Sequence, residues 1–126
     1  MKYAIIDTSS ILFGFTYGRN VFESAMETFE GSKLLVSRGI ITELTRFSSN
    51  KGAKGMRAKV ALMEIKAKKI SVDNISTNVD KWILYTAPRK GALVITNDTP
   101  LAKRLVFGGI KVFKMSRSGV LRKFSI

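Results

Sequence analysis

The sequence predicts an α/β fold with a mainly parallel central sheet. Short apolar runs recur between segments with helical spacing of apolar residues. Two of these runs meet an acid at their carboxyl end, at Asp7 and at Asp98, as buried parallel strands that open onto a ligand edge do. Glycine and proline mark boundaries between the periodic segments.

Taken in order, residues 2–7 (KYAIID) read as a buried strand with a polar end. The aromatic residues Phe13, Phe15 and Tyr17 fall in what reads as a loop after it, free to stack on bases or to pack an interface. Residues 20–29 have helical spacing, with Val21, Phe22, Ala25, Met26 and Phe29 on one face. Residues 33–37 (KLLVS) give a second strand, and residues 38–47 a helix carrying Ile40, Ile41, Leu44 and Phe47. A polar, glycine-bearing loop spans 48–55, and residues 56–68 form the clearest amphipathic helix, with Met56, Val60, Met63 and Ala67 as its apolar stripe. A short strand at 70–72 precedes a helix at 79–87, which Pro88 should stop. Trp82 on that helix reads as a core or interface residue. Residues 93–96 (LVIT) form the next central strand, residues 99–107 a helix closed by Gly108 and Gly109, residues 110–113 a further strand, and 119–124 a last short one.

The 126 residues suit one domain, 1–126, with no repeat or linker. The absence of cysteine and histidine excludes disulfides, thiolate zinc sites, thiol nucleophiles and a Ser-His-Asp triad. No apolar run approaches the roughly 18 residues of a membrane span. Asp7 comes too early for a secretory signal, so a cytoplasmic location is expected. Charge is the strongest bulk feature: 22 Lys+Arg against nine Asp+Glu give +13. Such an excess points to a polyanion, nucleic acid before an anionic membrane surface. The cations cluster between Arg46 and Lys69 and again between Lys103 and Lys123. Arg19, Arg38, Arg46, Lys103 and Arg104 are the candidates for phosphate contact.

With so few acids, their positions are informative. Glu23, Glu27 and Glu30 fall on an outward helix face, Glu64 pairs with Lys68 at i,i+4, and Asp73 suits a turn. Asp7, Glu43, Asp80 and Asp98 remain. Each has a plain structural role open to it: strand end, solvated helix position, first-turn acid and N-cap. Together they converge, because Asp7 and Asp98 follow central strands and Asp80 opens the helix leading to the second. Carboxylates gathered at one edge of so basic a protein suit a hard, oxygen-preferring cation, Mg²⁺ or Mn²⁺.

Ile5-Ile6-Asp7-Thr8-Ser9, Ile41-Thr42-Glu43-Leu44, Asp80, and Val94-Ile95-Thr96-Asn97-Asp98 together resemble the PIN domain family over essentially the whole chain. The resemblance implies a three-layer α/β/α fold and a metal site of Asp7, Glu43, Asp80 and Asp98. It implies support for that site from Thr8 or Ser9 and from Thr96. It further implies hydrolysis of RNA phosphodiesters with Mg²⁺ or Mn²⁺, and a homodimer. Two branches of the family fit: nucleases that process ribosomal RNA, favoured by the charge and acting beside a ribosome-assembly partner, and VapC-type toxins held by an antitoxin. A non-catalytic RNA-binding module is the alternative of another class. A haloacid-dehalogenase phosphatase would need an acid at position 9, which is Ser9, and no phosphate-binding glycine loop occurs.

Overall fold

The computed structural model describes residues 2–126; Met1, the first residue of the expected domain, lies outside the described residues. Six strands, β1 (Tyr3–Ile6), β2 (Lys33–Ser37), β3 (Ser71–Asp73), β4 (Leu93–Ile95), β5 (Val112–Met115) and β6 (Leu121–Lys123), form one sheet in the order β3-β2-β1-β4-β5-β6. All neighbours run parallel except the last pair, β5 and β6. The helices are α1 (Thr8–Thr16), α2 (Val21–Thr28), α3 (Arg38–Ser48), α4 (Ala53–Ala67), α5 (Val79–Lys90) and α6 (Thr99–Phe107). Helices α1 to α4 pack together on one face, and α5 and α6 lie against the sheet on its other side, giving the three-layer α/β/α arrangement. No described helix is long and apolar enough to cross a membrane.

From β1 the chain moves outward to β2 and β3; from β4 it moves the opposite way to β5. The seam between β1 and β4 is therefore the point where strand order reverses, and a crevice opens there beyond the carboxyl ends. Ile6 lies opposite Ile95 in that seam, and the Asp7 amide continues the ladder by donating to the Ile95 carbonyl at 2.9 Å. The residues after both strands are thus held side by side. Below them the core is packed by Ile5, Ile6, Phe22, Ile40, Leu44, Ile83, Ile95 and Leu101, all buried.

Several elements differ from the sequence reading. Residues 8–16 form a helix, although TSSILFGFT is poor in helix formers and has no clean period. Tertiary contacts decide it: Phe13 and Phe15 pack partly against the core, and Tyr17 is the most exposed of the three aromatics. Helix α4 starts three residues earlier than expected and turns the other way. Its buried face is Gly55, Ala58, Ala61 and Ile65, while Met56, Val60 and Met63 face solvent. Small side chains win because α4 packs on α3 and α1, and because the turn leading into α4 runs against Gly55, where a Cβ would stand 1.8 Å from the Asn50 carbonyl oxygen. Helix α5 runs through Pro88 to Lys90, although Pro88 has no N–H to give the carbonyl one turn back, and Gly91 ends it in the left-handed region (φ 60°). Trp82 is buried, and its indole N–H donates to Asp73 Oδ2 at 2.9 Å, which gives Asp73 its role.

Candidate metal centre

Asp7, Glu43, Asp80 and Asp98 line one cleft of about 260 Å³ at the carboxyl edge, with Leu12, Phe47 and Val79 as its apolar walls. Each acid arrives from a different element. Asp7 follows β1, Asp98 follows β4, Glu43 sits on α3 after β2, and Asp80 lies in the first turn of α5.

Asp7 occupies the N-cap position of α1, yet its side chain makes no capping bond. Its carboxylate turns into the cleft instead, where Oδ2 accepts from Ser9 Oγ and from Thr96 Oγ1, each at 2.7 Å. Only 4% of the residue is exposed. Burial pushes its pKa above the ordinary carboxylate value; the two hydroxyls pull it back, and Asp80 and Glu43 push it further up. Glu43 is held through Oε1, which accepts from Thr8 Oγ1 at 2.6 Å. Asp98 caps α6, accepting the Leu101 amide on Oδ1 at 3.1 Å, and still faces the cleft. Its own amide donates to Thr96 Oγ1 at 3.1 Å. Asp80 is half-buried, and its pKa is raised by burial and by Asp98, with Arg104 pulling it down.

Among the described residues the only cation in an ion pair is Lys68, bound to Glu64 at 2.7 Å and Glu23 at 3.3 Å. None of the four cleft acids has a Lys or Arg in contact, although the chain carries 22 of them. Among the described residues, no three acids close on a single point to make a ready cage. The acids do act on one another, since Asp80 and Glu43 raise the Asp7 pKa and Asp98 raises that of Asp80. Oxygen-only donors with room between them fit a hard divalent cation. Mg²⁺ in particular keeps several waters and takes one or two carboxylates plus substrate phosphate.

Thr8 and Ser9 thus divide the work, one orienting Glu43 and the other Asp7. The sequence reading gave no role to Ser10 and Asn97. Ser10 Oγ donates to Asn97 Oδ1 at 2.6 Å, while Asn97 also bonds both the amide and the carbonyl of Met115. That network ties the turn after β4 to β5. Its signal was the amide inside Thr96-Asn97-Asp98, a side chain able to donate and accept at once.

The candidate phosphate contacts separate. Arg104 stands near enough to Asp80 to influence it. Arg46 lines an adjoining groove that shares Glu43 and Val79 with the cleft. Arg38 is tied by Nε to Asn74 Oδ1 at 3.3 Å, and Arg19 lies across Gly119 in the β5–β6 turn; neither lines the cleft. Lys103 is exposed and does not line it either. A larger cavity of about 530 Å³ opens at the opposite edge, but Lys2, Tyr3 and Lys111 line it with no acid.

The sequence matches the PIN-like domain family over residues 4–118. The chain belongs to the PIN-like domain family. Among solved structures it resembles the PIN domain endonuclease Utp24, with a TM-score of 0.79 and 23% identity, covering 98% of this chain and 92% of that one. A domain of a functionally unknown protein from Methanocaldococcus jannaschii DSM 2661 also resembles it, with a TM-score of 0.66 and 15% identity over 92% of each chain. A comparison with curated proteins finds none that matches. These likenesses place the PIN fold around the carboxylate cleft.

Proposed function

We propose that this PIN-like chain is a metal-dependent endoribonuclease that hydrolyses RNA phosphodiesters at the cleft. One observation carries the reading: four acids of a protein with net charge +13 face one cleft, and among the described residues no Lys or Arg forms an ion pair with any of them. Such an arrangement is costly unless an external cation enters. The endonuclease named among its structural neighbours supports the same class.

Asp7, Glu43, Asp80 and Asp98 would hold Mg²⁺ or Mn²⁺. Ser9 and Thr96 keep the Asp7 carboxylate aimed into the cleft, and Thr8 does the same for Glu43. An ion held there would supply a water of lowered pKa and positive charge for the developing phosphate oxyanion. Arg104 and Arg46 stand at the rim, where phosphates on either side of the scissile bond would pass. Attack by water leaves a 5′-phosphate and a 3′-hydroxyl. Products ending in 2′,3′-cyclic phosphate would contradict this chemistry. The charge excess favours an RNA-processing role, with ribosomal RNA as substrate, over a toxin held by an antitoxin.

The test is cleavage of labelled single-stranded and ribosomal RNA fragments with Mg²⁺, with Mn²⁺ and with EDTA, using wild type, Asp7→Asn and Asp98→Asn. Asparagine caps helices as well as aspartate does, so Asp98→Asn should leave α6 intact. Metal-dependent cutting that both variants lose supports the proposal. Absent cutting, with RNA binding retained by all three proteins, would make the chain a non-catalytic binding module.

A further inference from the structure

A second groove, of about 430 Å³, adjoins the carboxylate cleft on the β5–β6 side. Asn97, Lys114, Arg122, Lys123 and Phe124 line it, and no acid does. Only the turn from Thr96 to Thr99 separates the two: Asp98 belongs to the cleft and Asn97 to the groove. Lys114 and Arg122 are cross-strand partners, so their side chains share a face of the ribbon, and Phe124, two residues on, returns to it. Lys114 Nζ donates to Thr99 Oγ1 at 2.8 Å and lies 5.2 Å from the centre of the Phe124 ring. Thr99 follows Asp98 directly, so this ammonium is anchored one residue from a cleft acid.

The geometry points to a binding track for the single-stranded RNA that flanks the scissile phosphate, with Lys114 and Arg122 taking phosphates and Phe124 receiving a base. This inference rests on the proposed nuclease reading and adds where the substrate runs. Edge strands often carry Lys and Arg to block pairing with other chains, which accounts for exposed cations on β6. It does not account for Lys114, which is on β5, is half-buried in the groove and has no carboxylate partner among the described residues. Cations beside an aromatic ring are what a sequence-tolerant strand platform needs. The sequence places Lys114 and Arg122 in the basic run from Lys103 to Lys123, although its individual candidates for phosphate contact are Arg19, Arg38, Arg46, Lys103 and Arg104.

The test measures binding of a fluorescent 15-nucleotide oligouridine, without divalent metal, across a salt series. Lys114→Gln/Arg122→Gln and Phe124→Ala are compared with Lys2→Gln/Lys111→Gln, which removes equal charge at the opposite edge. Far-ultraviolet spectra and melting curves confirm that each variant is folded. At about 0.7 per phosphate for single strands, the hairpin pair should lower the salt slope by about 1.4, or about 10-fold in affinity at 0.15 M relative to 1 M salt. Phe124→Ala should weaken binding roughly 5- to 160-fold with the slope unchanged, as loss of one stacked base does. The opposite-edge pair should stay near wild type. Equal losses in both double variants, or wild-type binding by the hairpin variants, would overturn the track. If that happens while wild type still cleaves RNA with metal, the nuclease proposal stands without it. A wild type that binds no RNA overturns the track, and one that in addition cuts no RNA with Mg²⁺ or Mn²⁺ overturns both.

Discussion

Replacing Thr96 with valine removes one hydroxyl and almost nothing else, yet that oxygen joins three groups. It donates to Asp7 at 2.7 Å, accepts the Asp98 amide at 3.1 Å and lies 3.2 Å from Ser9 Oγ, in a residue with 0% exposure. Losing a hydrogen bond to a charged acceptor costs about 1.5–3 kcal/mol, and stranding a partly buried amide adds about 1 kcal/mol. The sum is roughly 2.5–4 kcal/mol. Unfolding entropy of about 2.1 cal/mol/K per residue makes 1 kcal/mol worth about 4 °C in a chain of this length. Thr96→Val should therefore melt about 10–15 °C below wild type in metal-free buffer by circular dichroism or calorimetry. Thr96→Ser, which keeps the oxygen, should recover most of the loss. The substitution also removes a bond that holds the Asp7 pKa down, so the acid limb of any cleavage profile should move to higher pH. A valine variant melting within about 2 °C of wild type would refute the claim that this hydroxyl organises the cleft.

Asp7→Asn should raise the melting temperature of the metal-free protein at pH 7 and abolish the gain that MnCl₂ gives wild type. The sign follows from burial: the folded pKa lies above its ordinary 3.8, so metal-free stability is fullest below that value and falls as pH rises through the folded pKa. Asparagine carries no charge to bury, and melting curves from pH 4 to 8 should show wild type and variant diverging as pH rises. Gly55→Ala should cost about 3 kcal/mol or more, read from urea denaturation, because its Cβ would lie 1.8 Å from the Asn50 oxygen. Trp82→Phe should cost about 2–3 kcal/mol, since it empties part of the core and strands Asp73, which accepts the indole N–H at 2.9 Å.

The strands and the acids beyond them were legible because both signals are local. An apolar run followed by an acid marks a buried strand and its ligand edge, and Asp7 and Asp98 stand where that pattern put them. Asp80 was legible through the helix it opens toward the second of those strands, and Glu43 through its helix position and the resemblance of Ile41-Thr42-Glu43-Leu44 to the family pattern. Helix α1 was not, because its residues have weak helical preference and the structure is enforced by the core against which Phe13 and Phe15 pack. The orientation of α4 was missed for a related reason. Apolarity suggested Met56, Val60 and Met63 as the inner face, but the neighbouring helices and the turn leading into α4 rewarded the smaller Gly55, Ala58 and Ala61. Periodicity reports which face is apolar; which face fits depends on partners distant in sequence. The pairing of Thr96 with Asp7, across 89 positions, is of the same kind.

That span has a consequence for the order in which the protein is made. Asp7 leaves the ribosome first, but its two hydroxyl partners come from opposite ends of the chain, and β1 reaches its finished position only once β4 lies beside it. Until residue 98 has emerged there is no fourth acid, no seam between β1 and β4, and no closed edge for substrate to cross. A growing chain of this composition is already basic and sits amid ribosomal RNA. On the proposed reading it would nevertheless be unable to cut that RNA until its fourth acid, Asp98, has emerged and β4 lies beside β1.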